Sequence, residues 1–249
     1  MRQSVGFQCQ QFYLKDDRCA MKVSTDSLLL GAWVDIGAAK RLADFGCGCG
    51  ILALMLAQRS GADAEITAIE RDQAAAAQAA ENVAASPWPD KVQVQQQDIQ
   101  RVKQPQFDLV ISNPPYFAQS LASSNSQRAL ARQGAGLDLT EWFSCAAAAT
   151  TANGQIAMVI PSAQWPQLRA VTQQQGWYVA RYCMVTTVAH KAPKLVLAQW
   201  QRQPTVTEQQ QLVIQQQGGY TAEFRQLTGA FYLAGAPSAA PTPACPAKK

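Results

Sequence analysis

A short apolar strand, a glycine-rich turn and an apolar helix follow one another early in the chain, and this succession constrains the fold most. The strand-like run Arg41–Phe45 leads into Gly46-Cys-Gly-Cys-Gly50, and Ile51–Arg59 is a helical apolar run. Glycines at alternate positions let the backbone turn sharply and approach a ligand closely. Open α/β sheets bind their ligands at such turns, at the carboxyl ends of strands.

The alternation of strands and helices continues along the chain. Apolar and β-branched runs predict strands, and alanine-rich or capped runs predict helices. Besides the strand at 41–45, the predicted strands are 65–69, 92–94, 107–112, 155–160, 177–185 and 194–201, and the predicted helices besides 51–59 are 25–33, 73–85, 139–150 and 164–175. Because no helix separates the last two strands, we expect an α/β, Rossmann-like fold with a seven-stranded, mostly parallel sheet and a terminal antiparallel hairpin.

Composition excludes several classes of protein. Hydrophobic residues make up 48% of the 249, which excludes wholesale disorder. No stretch approaches the roughly 18 apolar residues of a membrane span, and the first residues do not resemble a signal peptide, so we expect a cytoplasmic protein without a membrane partner. Seven cysteines at irregular spacing and the single histidine, His190, predict reduced thiols and no metal site.

Charge is divided unevenly along the sequence. Residues 1–108 carry 11 basic and 13 acidic side chains, whereas residues 109–249 carry 10 basic and 4 acidic ones. A basic half favours a polyanion partner such as nucleic acid, although a surface poor in acids explains it equally well.

One domain over residues 1–235 accounts for the predicted elements. We expect residues 1–40 to form a segment that covers the substrate or the cofactor. Residues 118–136 are rich in Ser, Gln, Ala and Gly and read as a long loop, which is either functional or disordered. Residues 236–249 read as a disordered Pro/Ala tail.

Acidic residues stand at the ends of three successive predicted strands. Asp44 precedes the turn glycines Gly46, Gly48 and Gly50; because it would repel a phosphate, a cationic or zwitterionic ligand fits better. Glu70 can accept hydrogen bonds from a ribose diol, and is otherwise a surface residue. Asp98 can accept one from an adenine amino group, and is otherwise the cap of a turn.

These residues together form a consistent pocket for an adenosine-containing ligand. Their combination is typical of class I methyltransferases that use S-adenosyl-L-methionine. We therefore predict this molecule as the cofactor, bound by the turn glycines, the three acids and Asn113.

A second motif, Asn113-Pro-Pro-Tyr116, follows the strand at 107–112. Two prolines fix φ and remove two N–H donors. The side-chain oxygen of Asn113 and the backbone oxygen of Pro114 are then two close acceptors that match a planar NH₂ group. Tyr116 offers a face on which a base can stack, worth roughly 1–3 kcal/mol. We assign Asn113, Pro114 and Tyr116 as the catalytic residues, although an ordinary proline turn is the simpler alternative.

Both motifs resemble those of the amino-group methyltransferases, which include adenine-N6 enzymes and the glutamine methyltransferases of release factors. The stretch from Phe12 to Trp33, the run from Leu52 to Arg59 and Gly229-Ala-Phe-Tyr-Leu233 resemble the bacterial tRNA(Val) adenine-N6 methyltransferase family. That resemblance extends from residue 7 to about 233. It implies N6-methylation of the adenosine 3′ to the anticodon, with a valine tRNA as partner and a monomer as the default state.

The resemblance and the basic half of the chain together suggest residues that contact the RNA. The candidates are Lys22, Thr25, Arg128, Arg132, Lys191 and Lys194. His190 lies in a predicted loop and is not expected to be a catalytic base.

Four other functions remain open. A protein glutamine-N5 methyltransferase would carry a sizeable helical domain before the glycine turn, where only 43 residues precede Asp44. A methyltransferase acting on DNA would need an added target-recognition domain, and one acting on ribosomal RNA stays open as a related case. A non-catalytic module that binds the cofactor would not need the intact Asn113-Pro-Pro-Tyr116 motif.

Overall fold

The computed structural model describes residues 6–115 and 137–232. Its strands are β1 (Gly6–Gln8), β2 (Tyr13–Lys15), β3 (Arg41–Phe45), β4 (Glu65–Glu70), β5 (Val92–Gln96), β6 (Phe107–Ser112), β7 (Thr150–Pro161), β8 (Tyr178–Val188), β9 (Leu195–Gln201), β10 (Glu208–Gln216) and β11 (Gly219–Tyr220). Its α-helices are α1 (Thr25–Trp33), α2 (Ile51–Arg59), α3 (Gln73–Ala84), α4 (Leu139–Ala149), α5 (Trp165–Gln174) and α6 (Ala222–Thr228).

Within the described residues one large sheet has the order β11-β10-β8-β9-β7-β6-β3-β4-β5, and β1 and β2 form a separate hairpin. The run from β7 through β6, β3 and β4 to β5 is parallel throughout. β9 lies antiparallel between β7 and β8, and β10 returns parallel to β8. The mostly parallel α/β fold and the antiparallel pairing of the last two predicted strands are therefore confirmed.

The predicted number of seven strands is wrong for the large sheet, because β10 and β11 extend it to nine in the described part of the chain. Strand β10 reads Glu-Gln-Gln-Gln-Leu-Val-Ile-Gln-Gln, and only Leu212 and Ile214 of it are buried. Glutamine has little preference for strands, so the sequence signal there was weak. Backbone pairing with β8 overrides that local preference.

Each face of the sheet has its own hydrophobic core. Along β7, Ala157 and Val159 belong to the core beneath α1, α2 and α3, whereas Ile156 and Met158 belong to the core beneath α4 and α5. This alternation follows from the two-residue period of a strand. Burial on both faces holds the carboxyl ends of the central strands in place.

Helix α1 begins at a serine cap. The side chain of Ser24 accepts a hydrogen bond from the backbone N–H of Ser27, so Thr25, Asp26 and Ser27 form the first turn. The helix therefore begins where the sequence predicts it, with the Thr-Asp-Ser group in its first turn. The side chain of Ser27 faces the carboxyl edge of the sheet, where β6 ends.

The two ends of the described chain meet in a contact that we call the terminal clasp, formed by Gln10 and residues 229–232. The side chain of Gln10 donates to the carbonyls of Gly229 and Tyr232, at 2.6 Å each. Its backbone N–H donates to the carbonyl of Phe231 at 2.9 Å. The rings of Phe7 and Tyr232 meet edge to face, with centroids 6.2 Å apart. The clasp fixes the N-terminal hairpin to the end of α6.

The helices of the described residues are all too short or too polar to cross a lipid bilayer. The predicted loop at 118–136 and the predicted tail at 236–249 lie outside the described residues.

Candidate active site

The glycine turn joins β3 to α2 at the carboxyl edge of the sheet. Gly46, Gly48 and Gly50 have φ values of +71°, +54° and +89°. A Cβ atom on Gly46 would lie 2.9 Å from the ring of Trp142, whereas one on Gly48 would meet no atom of the described protein within 4 Å. Gly48 is therefore the turn glycine that faces open space, and a ligand can approach its backbone.

Asp44 is fully buried near the end of β3, two residues before Gly46. Its Oδ2 accepts a hydrogen bond of 3.0 Å from the backbone N–H of Ala53, in the first turn of α2. Its Oδ1 has no hydrogen-bond partner in the described part of the chain. Burial raises the pKa of Asp44 to about 8, and the charge of Glu70 adds to that rise. A buried, unpaired carboxylate oxygen fits a ligand that brings a cation or an N–H donor.

Glu70 is fixed against the same turn. Its Oε2 accepts from the backbone N–H of Gly48 at 3.0 Å, and its Oε1 accepts from that of Asp72 at 2.9 Å. A carboxylate can accept about four hydrogen bonds, so capacity remains for two hydroxyl groups of a ligand. The hydrogen bond between Gly48 and Glu70 therefore holds together two of the residues that we predicted to bind an adenosine ligand.

Asp98 lies farther from the turn than Glu70 does. It follows β5, two strands from β3 in the sheet, and its side chain accepts from the backbone N–H of Gln100 at 2.9 Å. It therefore caps the short 3₁₀ helix Ile99–Arg101. Asp98 shares the carboxyl edge with the glycine turn, but no contact joins the two in the described chain.

Asn113 follows β6, which pairs directly with β3. The amide nitrogen of Asn113 donates to the hydroxyl of Ser27 in α1 at 2.9 Å. Ser27 is buried, as is Pro114. The amide is therefore anchored through its nitrogen, and the prolines fix the backbone that follows it. Tyr116 lies outside the described residues.

Sequence reasoning missed the partner of Asn113. Ser27 is 86 residues away, and its only sequence signal was membership of a Thr-Asp-Ser group that we assigned to a helix start. Its contact with Asn113 depends on the packing of α1 across the strand ends, which no local pattern reports.

Sequence reasoning also missed two polar side chains of α3 that hold the N-terminal segment beside the glycine turn. Asn82 accepts from the backbone N–H of Lys15 at 2.9 Å and donates to the carbonyls of Lys15 and Cys49, at 2.8 and 2.9 Å. Gln78 accepts from the backbone N–H of Arg18 at 3.0 Å. A polar pair at i and i+4 in an alanine-rich helix was the available signal.

Three of the basic residues proposed for RNA contact lie within the described residues and are exposed near the same edge: Lys22, Lys191 and Lys194. Lys22 donates to the backbone oxygen of Asp16 at 2.7 Å. Lys191 and Lys194 are exposed in the loop from β8 to β9, which opens at the carboxyl edge because β9 starts opposite the end of β7. Burial raises the pKa of Asp26, and the charge of Lys194 opposes that rise, so the loop and the start of α1 are neighbours.

The remaining predicted RNA contacts are placed as follows. Thr25 stands in the first turn of α1, and its side chain lies beside the hydroxyl of Tyr232. Arg128 and Arg132 lie outside the described residues. Within residues 6–115 and 137–232, no three His, Cys, Asp or Glu side chains are arranged to hold a metal ion.

Comparisons with known proteins show the family to which the chain belongs. A family model described as "Methyltransferase small domain" matches residues 19–165. The chain is 44% identical to the tRNA1(Val) (adenine(37)-N6)-methyltransferase of Tolumonas auensis, over 92% of this chain and 97% of that protein. It is 43% identical to the enzyme of the same name from Mannheimia succiniciproducens, over 92% and 95%.

A solved structure shows the same fold at low sequence identity. A predicted O-methyltransferase from Agrobacterium tumefaciens aligns over 83% of this chain and 96% of its own, with a TM-score of 0.61 and 19% identity. The class I methyltransferase fold and the resemblance drawn from the motifs are therefore confirmed. The chain belongs to the tRNA1(Val) (adenine(37)-N6)-methyltransferase family, whose cofactor is S-adenosyl-L-methionine.

Proposed function

We propose that the chain methylates the N6 amino group of adenosine 37, the nucleotide 3′ to the anticodon, in tRNA1(Val). Relatives that match nearly the whole chain carry this activity in their names. The observation that carries the proposal is the pairing of β3 with β6. It sets the glycine turn and the Asn113 turn side by side, as a transfer between two bound molecules requires.

The cofactor side of the site suits S-adenosyl-L-methionine. We assign Gly48 and Glu70 to the adenosine part, with Asp98 at the base, and the unpaired oxygen of Asp44 to the ammonium group. Gly46 and Gly50 shape the turn. The bound cofactor supplies a methyl group on a positively charged sulfur, and the protein supplies orientation and electrostatics.

On the substrate side, Asn113 and Pro114 hold the amine. The Asn113 side-chain oxygen and the Pro114 backbone oxygen accept its two N–H groups and keep the nitrogen lone pair directed at the methyl group. With the cofactor bound, the C–N bond would form as the methyl–sulfur bond breaks, and the electron pair of that bond would stay on sulfur, which leaves as a neutral thioether. The hydrogen bonds to Asn113 and Pro114 would strengthen as positive charge develops on the nitrogen, which then releases one proton to water. The bond from Asn113 to Ser27 supports this role, because it fixes which end of the amide faces α1.

The target base must leave its stack before it can reach Asn113. We assign Tyr116 as the surface on which the purine stacks. Lys22, Lys191 and Lys194 share this edge of the sheet, and we assign them to the RNA phosphates together with Thr25, Arg128 and Arg132. Such contacts make binding weaken steeply with salt.

We also assign the chain a single domain over residues 1–235, acting as a monomer in the cytoplasm where tRNA is found. Residues 1–40 would cover the cofactor, and the bonds from Asn82 to Lys15 and Cys49 support this assignment. Light scattering with and without tRNA measures the oligomeric state.

The test of the function uses transcripts that differ at one nucleotide. The protein is incubated with methyl-labelled cofactor and tRNA1(Val), or with the same transcript carrying guanosine at position 37. We expect N6-methyladenosine in digests of the first transcript and no label in the second.

Three further substrates complete that test: duplex DNA, ribosomal RNA and a peptide release factor. Equal labelling of both transcripts would contradict the assigned nucleotide. Label that enters the release factor or DNA in preference to tRNA would contradict the assigned substrate class.

A further inference from the structure

The hydroxyl of Ser112 connects the two turns of the active site. Ser112 is the last residue of β6 and directly precedes Asn113, and its side chain is 1% exposed. Its Oγ donates to the backbone oxygen of Phe45 at 2.6 Å. Phe45 is the last residue of β3 and directly precedes Gly46. One buried hydroxyl thus bonds the residue before one turn to the residue before the other.

This bond continues the pairing of the two strands. The register of β3 with β6 ends at Asp44 opposite Ile111. One residue later the two strands begin to diverge into their turns. There the Ser112 hydroxyl donates to the Phe45 carbonyl in place of a backbone N–H group. The separation of the two turns is therefore set by a side chain at the point where the backbone ladder stops.

Trp142 of α4 fixes the direction of that hydroxyl. Its indole Nε1 donates to Ser112 Oγ at 2.8 Å. An indole N–H can only donate, so the serine oxygen must accept from it and direct its own hydrogen at Phe45. The same indole ring packs against Gly46, where a Cβ atom would lie 2.9 Å from it. Trp142 therefore contacts the glycine turn and the strand end that carries Asn113.

We propose that Ser112, oriented by Trp142, is a positioning residue that sets the distance and angle between the cofactor turn and Asn113. The proposal rests on the role assigned above to Asn113. An in-line methyl transfer is sensitive to the alignment of its reacting atoms, and a misplacement of about 1 Å can lower a rate by about a hundredfold. Neither side chain touches substrate in this scheme, so both act through alignment alone.

The protein contains a matched control for loss of such a hydroxyl. Thr172 is fully buried, accepts from the indole of Trp200 at 3.1 Å, and donates to the backbone oxygen of Arg169 at 3.1 Å. It lies in α5 and contacts Trp200 of β9, away from both turns. Thr172→Val and Ser112→Ala each leave one buried indole N–H unpaired, so a merely structural role would give both variants the same behaviour.

The experiment measures single-turnover methylation at saturating cofactor and tRNA1(Val), the cofactor Kd and the melting temperature. We expect Ser112→Ala to slow the reaction by about tenfold to a hundredfold with a Kd within about threefold of the parent. Thr172→Val should melt at a similarly reduced temperature and keep its rate within about twofold. Trp142→Phe, which retains a ring, should slow the reaction, and adding it to Ser112→Ala should slow it no further.

The Asn113→Ala variant separates the two proposals. If it loses most of its rate while Ser112→Ala and Trp142→Phe react as fast as Thr172→Val, positioning by Ser112 is wrong and the role of Asn113 stands. If Asn113→Ala itself reacts at the parental rate, the assigned amine holder is wrong and the positioning proposal falls with it. Additive losses from Ser112→Ala and Trp142→Phe would overturn the claim that the two act as one unit.

Discussion

The two halves of the carboxyl edge are built differently. The half over β3, β4 and β5 is wholly parallel, and its strand ends present carboxylates; Glu70 there is held by backbone N–H groups of the glycine turn and of Asp72. The half over β8 and β9 is antiparallel, and its connecting loop presents the exposed Lys191 and Lys194. β6 lies between the halves and carries Asn113 at its end.

This difference matches the two kinds of ligand that the family handles. A small cofactor of fixed shape suits a preformed, partly buried site. An RNA backbone is bound largely by exposed cations, which attract phosphates without fixing a single geometry. The two halves should therefore be separable by mutation, and the central strand should affect the reaction more than either binding step.

The largest effect is expected at the centre. Asn113→Ala should lower the methylation rate by about 10²–10³, as for other preorganised hydrogen-bond sites, while the Kd values for cofactor and RNA stay within about threefold. Rapid-quench rates and binding titrations measure the two quantities separately. The exposed Asn153, in β7, gives a control variant, Asn153→Ala. If Asn113→Ala weakened cofactor binding as much as it slowed methylation, Asn113 would not act mainly on the reaction step.

Glu70→Gln should act on the cofactor half alone. Loss of the carboxylate charge should raise the cofactor Kd by about tenfold or more, since hydrogen bonds to a charged group contribute about 1.5–3 kcal/mol. Calorimetric titration measures this change. Glu65 begins the same strand at the opposite, exposed end, so Glu65→Gln should bind like the parent. If Glu70→Gln raised the Kd for RNA as much as the Kd for the cofactor, the two halves of the edge would not act independently.

Replacing Lys191 and Lys194 together by alanine should act on the other half. We expect RNA affinity to fall by about tenfold at low salt and the slope of log K against log salt to become shallower by roughly one to two. Filter binding over a salt series measures both. Lys40 pairs with Asp63 ahead of β3, at the opposite edge, and Lys40→Ala serves as the control. An unchanged slope would remove these lysines from the RNA interface.

A smaller effect concerns acidity within the cofactor half. Burial raises the pKa of Asp44 to about 8 in the folded protein, whereas an Asp in the unfolded chain has a pKa of about 3.9. At neutral pH the folded protein therefore keeps a proton on Asp44 that the unfolded chain releases. Stability of the cofactor-free protein should therefore fall as the pH rises from about 4 to about 8. Asp44→Asn should flatten this dependence in melting curves. Parallel curves for parent and variant would show that Asp44 is already ionised.

The sequence predicted the cofactor half more closely than the other half. The bounds of β3, α2 and β6 agree with the predicted runs, because short apolar strands and a glycine turn leave strong local signals. The glutamine-rich β10 left almost none. Its place in the sheet comes from pairing with β8 and from burial of two alternate side chains, which are tertiary effects.

Within the site, residue types were predictable and contacts were not. Asp44, Glu70 and Asn113 were identified from their positions at strand ends. The bond between Glu70 and Gly48 joins residues 22 positions apart, and the bond between Asn113 and Ser27 joins residues 86 positions apart. Both bonds depend on how the glycine turn and α1 pack against the sheet. The two oxygens of Asp44 differ as well: one accepts from α2, and the other has no partner among the described residues, which sequence reasoning could not predict.

The terminal clasp also bears on how the domain is made. Gln10 leaves the ribosome early, but its partners at residues 229–232 are translated among the last of the domain. The contacts of the clasp can therefore form only after α6 has been made, and the bonds of the Gln10 side chain join residues 219 and 222 positions apart. Because the two ends of the described residues touch, a circular permutant that links the N-terminus to the C-terminus and opens an exposed loop elsewhere should still fold.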